Sequence, residues 1–150
     1  MERQIYGNLV DSLRGLEDGK EHLKAAHLGN ALSQIKLNLP PHSWAGLYLV
    51  NDGQLVLGPF QGTPACEEIA FGKGVVGACY EKRATIMVKD VTTFPGYICC
   101  DASAKSEICI PVFKDKEVIA ILDIDRPDLH DFSNEKEEFE AIAKLLENWL

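Results

Sequence analysis

Glu107-Ile-Cys-Ile-Pro-Val-Phe-Lys-Asp-Lys-Glu-Val-Ile-Ala-Ile-Leu-Asp-Ile-Asp125 reads as two apolar strands joined by a tight turn at Asp115-Lys116. Successive side chains of a strand point to opposite faces, so parity sorts the stretch. Ile108, Ile110 and Val112 share one face with Ala120, Leu122 and Ile124. Glu107, Cys109 and Pro111 fall on the other with Ile121, Asp123 and Asp125. A sheet built on this hairpin has one oily face, and an opposite face where carboxylates sit among apolar neighbours.

Upstream, Ser43–Asn51 has the same character. Ala45, Leu47 and Leu49 lie on one side, and Trp44, Gly46, Tyr48 and Val50 on the other. Asn51-Asp-Gly-Gln54 is a hairpin signal, because Asp and Gly tolerate positive φ. The spacing predicts further strands over 55–60, 66–71 and 85–88. Helices are predicted over 3–17 (Ile5, Leu9, Leu13, Leu16), 21–37 (Leu23, Leu28, Ala31, Leu32, Ile35) and 75–82. A last helix carries Phe139, Ile142, Leu146 and Trp149 as its buried stripe, with Ser133 as cap and Phe132 as staple. The expected architecture is α+β: one domain over 1–150, with a six-stranded, mostly antiparallel sheet. The N- and C-terminal helices cover its oily face and leave a ligand pocket on the other.

Composition sets bounds. With 150 residues, 46% of them apolar and 25% charged, the chain is long enough for one ordinary core. The net charge is −8 and the basic residues are scattered, which argues against a nucleic-acid backbone as partner. No apolar run approaches the roughly 20 residues of a membrane span. Met-Glu-Arg-Gln-Ile-Tyr at the start lacks a secretory pattern, so a cytoplasmic protein is expected. The five cysteines (66, 79, 99, 100, 109) are odd in number and show no Cys-x-x-Cys or zinc-ligand spacing. They divide into core filler and reactive thiols. No metal or cofactor is expected. His22, His27 and His42 read as surface or helix-packing residues.

Cys99 and Cys100 lie in Phe94–Glu107, where Pro95, Gly96 and small residues read as a loop. A reactive thiol has to be reachable, and a loop that closes like a lid on the acidic face meets that need. Asp123 and Asp125 with Glu107 suit a cationic or hydrogen-bond-donating small ligand, with Trp44 and Tyr48 as apolar walls. The plainer alternative has Asp125 capping the following turn and Asp123 bonding backbone amides. Gly72-Lys-Gly-Val-Val-Gly77 matches G-x-G-x-x-G. It lacks the flanking long strand and the later acid of a dinucleotide site, so its glycines read as a tight strand-to-helix turn.

The succession Trp44-Ala-Gly-Leu-Tyr48, Leu57-Gly-Pro-Phe-Gln-Gly62, Pro64-Ala-Cys66, Gly72–Gly77, Cys100-Asp101-Ala102, Lys105-Ser-Glu107 and Leu122-Asp-Ile-Asp125 resembles the motifs of the free methionine-(R)-sulfoxide reductases, which are GAF domains. The resemblance covers essentially the whole chain. It implies Cys100 as catalytic cysteine and Cys66 as resolving cysteine. It implies Trp44 and Tyr48 around the sulfoxide methyl, and Glu107, Asp123 and Asp125 on the substrate's polar groups. Free methionine sulfoxide would be the substrate, a thioredoxin-type dithiol the reductant, and a homodimer a possible assembly. Val76 stands where many members carry a third cysteine; the catalytic pair is intact, while the residue for a longer thiol relay is missing. Cys79, Cys99 and Cys109 match no role. Two rival readings are a non-catalytic GAF sensor of a small molecule and a thiol redox sensor.

Overall fold

The computed structural model describes residues 2–100 and 102–150, with side chains from Asn8 onward. Asp101 of the cysteine motif and the predicted contact of Ile5 lie outside the described residues.

The order of elements is α1 (Glu2–Arg14), α2 (Lys24–Leu37), β1 (Trp44–Asn51), β2 (Gln54–Gln61), β3 (Glu68–Ala70), α3 (Gly74–Lys82), β4 (Ile86–Val88), β5 (Ser106–Lys114), β6 (Glu117–Arg126) and α4 (Lys136–Leu146). The strands form one six-stranded sheet in the order β3-β2-β1-β6-β5-β4. Every pairing in it is antiparallel. Both hairpin turns use left-handed backbone, at Asp52 and Gly53 and at Asp115 and Lys116, which matches the twist of the strands they join.

The predicted parity holds. Ala45, Leu47, Ile108, Ile110, Val112, Ala120, Leu122 and Ile124 make one core with the buried sides of α1, α2 and α4. On the opposite face a second, smaller core gathers Trp44, Tyr48, Leu55, Ile69, Val75, Val76, Cys79, Cys109 and Ile121 under α3. His27, as expected, packs between helices: its ring lies 5.5 Å from that of Trp149, and its Nε2 lies 3.1 Å from Asp18. Among the described residues no helix is long and apolar enough to cross a membrane.

The helix expected over 3–17 ends at Arg14, and four other boundaries differ from the sequence expectation. β3 starts at Glu68, and Cys66 precedes it in a loop after Pro64, which has no N–H for a sheet ladder. β4 starts at Ile86 rather than Thr85, because Thr85 turns its hydroxyl to Glu140 on α4, 2.8 Å away. The predicted 21–37 helix opens with a 3₁₀ turn at Glu21–Leu23. Ser133 is not a helix cap: Asp131 accepts from the Ser133 N–H at 2.9 Å and caps a 3₁₀ turn over Phe132–Asn134, so α4 begins at Lys136. The Ser133 hydroxyl also donates to Asp131 Oδ1, at 2.5 Å, so it is turned away from the first free amides of α4.

Candidate active site

Strand register assembles the site. Across the sheet Trp44 faces Asp125 and Asp125 faces Glu107. One step along, Gly46 faces Asp123 and Asp123 faces Cys109. Same-face neighbours on adjacent strands lie about 5 Å apart, so strands distant in sequence bring their acids and aromatics to one patch.

Gly46 is what lets Trp44 lie flat there. A Cβ at Gly46 would come within 2.4 Å of the Trp44 ring and 2.6 Å of Phe60. The indole stacks on Phe60 at 5.4 Å and donates to the Thr63 carbonyl at 2.9 Å. Tyr48 donates its hydroxyl to the Cys66 carbonyl at 2.9 Å, which fixes the loop carrying that cysteine.

The glycine motif delivers a turn. Gly72 and Gly74 adopt positive φ, and the Gly72 N–H donates to the Gly77 carbonyl at 3.1 Å as α3 begins. The α3 start walls the cavity with Lys73, Gly74, Val75 and Val76. The Phe94–Cys100 loop closes over it: Ile98 packs on Gly74, and Tyr97, Ile98 and Cys100 line the opening. Cys66 and Cys100 are joined by a disulfide, with Cα atoms 5.4 Å apart. The cavity beneath is a narrow cleft.

The floor is an acid–thiol cluster. Glu107 and Asp123 are buried and hydrogen-bond each other. The Cys109 thiol lies 3.4 Å from Glu107 Oε1 and 3.4 Å from Asp123 Oδ1. Burial, and then the charges of Asp123 and Asp125, push the Glu107 carboxyl well above the ordinary carboxylate range. Burial also raises Asp123, while hydrogen bonds from Glu107 and Cys109 pull it back. The pair therefore shares a proton that a solvated carboxyl would have lost. Tyr48 and Tyr97 are held neutral by burial and by the same acids. Glu107, Cys109 and Asp123 each offer a ligand-type atom within 4.8 Å of the others. Those atoms are already engaged in mutual hydrogen bonds, and we read them as a proton-holding cluster.

All seven residues singled out from the sequence, Trp44, Tyr48, Cys66, Cys100, Glu107, Asp123 and Asp125, thus lie at one cavity. Glu107, the last residue of the stretch read as a loop, sits within β5. Asp123 bonds Glu107 and Cys109 side chains, in contrast to the backbone-amide alternative. Three neighbours had no part assigned from the sequence. Cys109 shares the parity of Glu107, a signal that was present but had no partner assigned. Tyr97 and Ile98 lie in a loop without periodicity, and only the lid's path over α3 brings them in.

The GAF domain family model matches residues 27–148. The free methionine-R-sulfoxide reductase of Saccharomyces cerevisiae is 39% identical over 152 residues, spanning 95% of this chain and 84% of the relative. The structure of the fRMsr of Staphylococcus aureus in its reduced form superimposes with a TM-score of 0.89 at 44% identity, covering 97% of this chain and 94% of that one. The free methionine-R-sulfoxide reductase of Neisseria meningitidis, solved in complex with its substrate, matches with a TM-score of 0.85 at 32% identity, over 99% of this chain and 87% of that one. Together with the sheet, the lid and the acidic floor, these likenesses show that the chain belongs to the GAF-domain family of free methionine-R-sulfoxide reductases.

Proposed function

We propose that this chain reduces free L-methionine-(R)-sulfoxide to methionine, with Cys100 as nucleophile and Cys66 as resolving thiol. A thioredoxin-type dithiol then restores both. The observation that carries the reading is the Cys66–Cys100 bridge at the mouth of a cavity floored by the Glu107–Asp123 pair.

In the reduced protein the Cys100 thiolate attacks the sulfoxide sulfur, and the shared proton of the acid pair passes to the sulfoxide oxygen. That oxygen ends on Cys100 as a sulfenic acid. The substrate sulfur gains two electrons, and methionine leaves. Cys66 then displaces the oxygen as water and the disulfide forms. An external dithiol attacks the disulfide, is itself oxidised and frees both thiols. Trp44 and Tyr48 hold the methyl side of the substrate. Glu107, Asp123 and Asp125 receive the ammonium of a free amino acid, a group that a residue inside a protein lacks. Val76, buried at the α3 start, supplies no third thiol, and Cys100 with Cys66 is sufficient for the cycle.

The test is turnover of free methionine-R-sulfoxide with a thioredoxin system, using the S isomer as control. Cys100→Ser is expected to abolish it. Cys66→Ser is expected to release about one methionine per protein and then recycle poorly. Saturable binding without thiol loss would favour the sensor alternative, and oxidation by peroxide without stereospecific turnover the redox-sensor one. The same proposal treats residues 1–150 as one domain in a reducing, cytoplasmic setting and includes homodimerisation, which light scattering in solution tests.

A further inference from the structure

We propose that Cys109 is a positioning residue of the acid pair: its thiol, lodged between Glu107 and Asp123, fixes their spacing and donates its S–H to the member that is ionised. The proposal rests on the reading above, since it assigns a task to a group touching the proton donor. Cys109 is fully buried and shows no route to solvent, so it is not a second nucleophile. Its place is dictated by the sheet: it faces Asp123 across the β5–β6 ladder and follows Glu107 by two residues on the same strand. Its sulfur is equidistant, at 3.4 Å, from one oxygen of each acid.

The ionisable groups facing the pair are Asp125 from β6, Tyr48 from β1, Tyr97 from the lid and Cys79 from α3, with Lys73 on the cavity wall at the α3 start. Cys79 is tied to the Ala84 carbonyl at 3.4 Å and Tyr48 to the Cys66 carbonyl at 2.9 Å, so their own hydrogens point away from the acids. The thiol of Cys109 is pushed up by burial and by both acids, and stays protonated while the carboxyl proton comes and goes. Before proton transfer the pair carries one negative charge. Afterwards it carries two, on a floor largely shut from water, and a fixed donor touching both oxygens lowers the energy of that state. A weak S–H donor suits the task, because a stronger one would hold the pair ionised and lose the proton to solvent before substrate arrives.

The test uses the full chain with Cys109→Val, which removes the donor and adds one methyl, and Cys109→Ser, which shortens and strengthens it. Two readouts are taken: kcat/KM against pH, and the carboxyl ¹³C titration of Glu107 and Asp123 without substrate. Cys109→Val is expected to move the alkaline limb and the carboxyl titration to higher pH by about half a unit to one unit. Cys109→Ser is expected to move both to lower pH. If folded variants superimpose on the wild type in both readouts, the proposal is overturned. If Cys109→Val does not fold, Cys109→Ser decides by the same criterion. A wild type without turnover would sink the functional reading instead, and the carboxyl titration would still judge Cys109.

Discussion

Glu107 shows how one side chain ties stability to chemistry. Its carboxyl is buried beside Asp123 and stays protonated to a higher pH than in an unfolded chain, chiefly through burial. Between the ordinary glutamate range and that raised value, the folded state binds more protons than the unfolded one. The stability this contributes is complete below the ordinary range and is lost as pH rises through the folded value. Glu107→Gln removes the loss. The variant is expected to be more stable than the wild type by about 0.5–2 kcal/mol at alkaline pH, with the gap closing as pH falls. Urea midpoints measured across pH check it. The same variant has no carboxyl proton to give, and kcat is expected to fall by about 10²–10⁴. A gain in stability with a loss of turnover would mark Glu107 as a group kept for function against the preference of the fold.

At the scale of the element, β1 is where fold and site meet. It is hydrogen-bonded on both sides, by β2 and β6, so its register cannot slip without moving Ala45 and Leu47 out of the helix-side core. The other parity of the same strand holds Trp44, Gly46 and Tyr48. Gly46→Ala places a methyl in space occupied by the Trp44 ring and the Phe60 Cβ, at 2.4 and 2.6 Å. The backbone on either side is pinned, so the indole must tilt. The expected result is a KM for the sulfoxide raised about tenfold, equivalent to about 1.4 kcal/mol of binding, with kcat less affected. Steady-state kinetics on a variant with unchanged circular dichroism checks it. The alternation of β1 and the hairpin signal at Asp52-Gly53 made this strand legible in the sequence. The start of α4 was less so, because Asp131 and Ser133 are both good caps, and only the folded chain shows that Ser133 donates both its N–H and its hydroxyl to Asp131.

For the whole molecule the Cys66–Cys100 bond matters most. It ties the lid to the loop before β3 across a sequence separation of 34 residues. By loop-closure entropy a bond of that span stabilises the fold by roughly 3–4 kcal/mol, and Tm is expected to fall by roughly 10 °C on reduction. Thermal scans with and without dithiothreitol check this, and Cys66→Ser should show no such difference. The molecule has two cores of different kinds. The helix side is mainly apolar, whereas the lid side packs aromatics and aliphatics around buried acids. The site occupies the second core, beneath the lid and α3.

The sequence by itself determined the strands, their faces and the helices that cover one of them. Those depend on alternation and on helical spacing, which are local properties of the chain. It also placed Trp44, Tyr48, Glu107, Asp123 and Asp125 on one face, because parity needs no knowledge of strand order. Only the tertiary structure decided that Cys109 stands between Glu107 and Asp123, that Tyr97 and Ile98 close the cavity, and that Cys66 lies outside β3 within reach of Cys100. The reason is physical: strand order, lid path and side-chain spacing depend on contacts between residues far apart in sequence, and no local pattern encodes their distances.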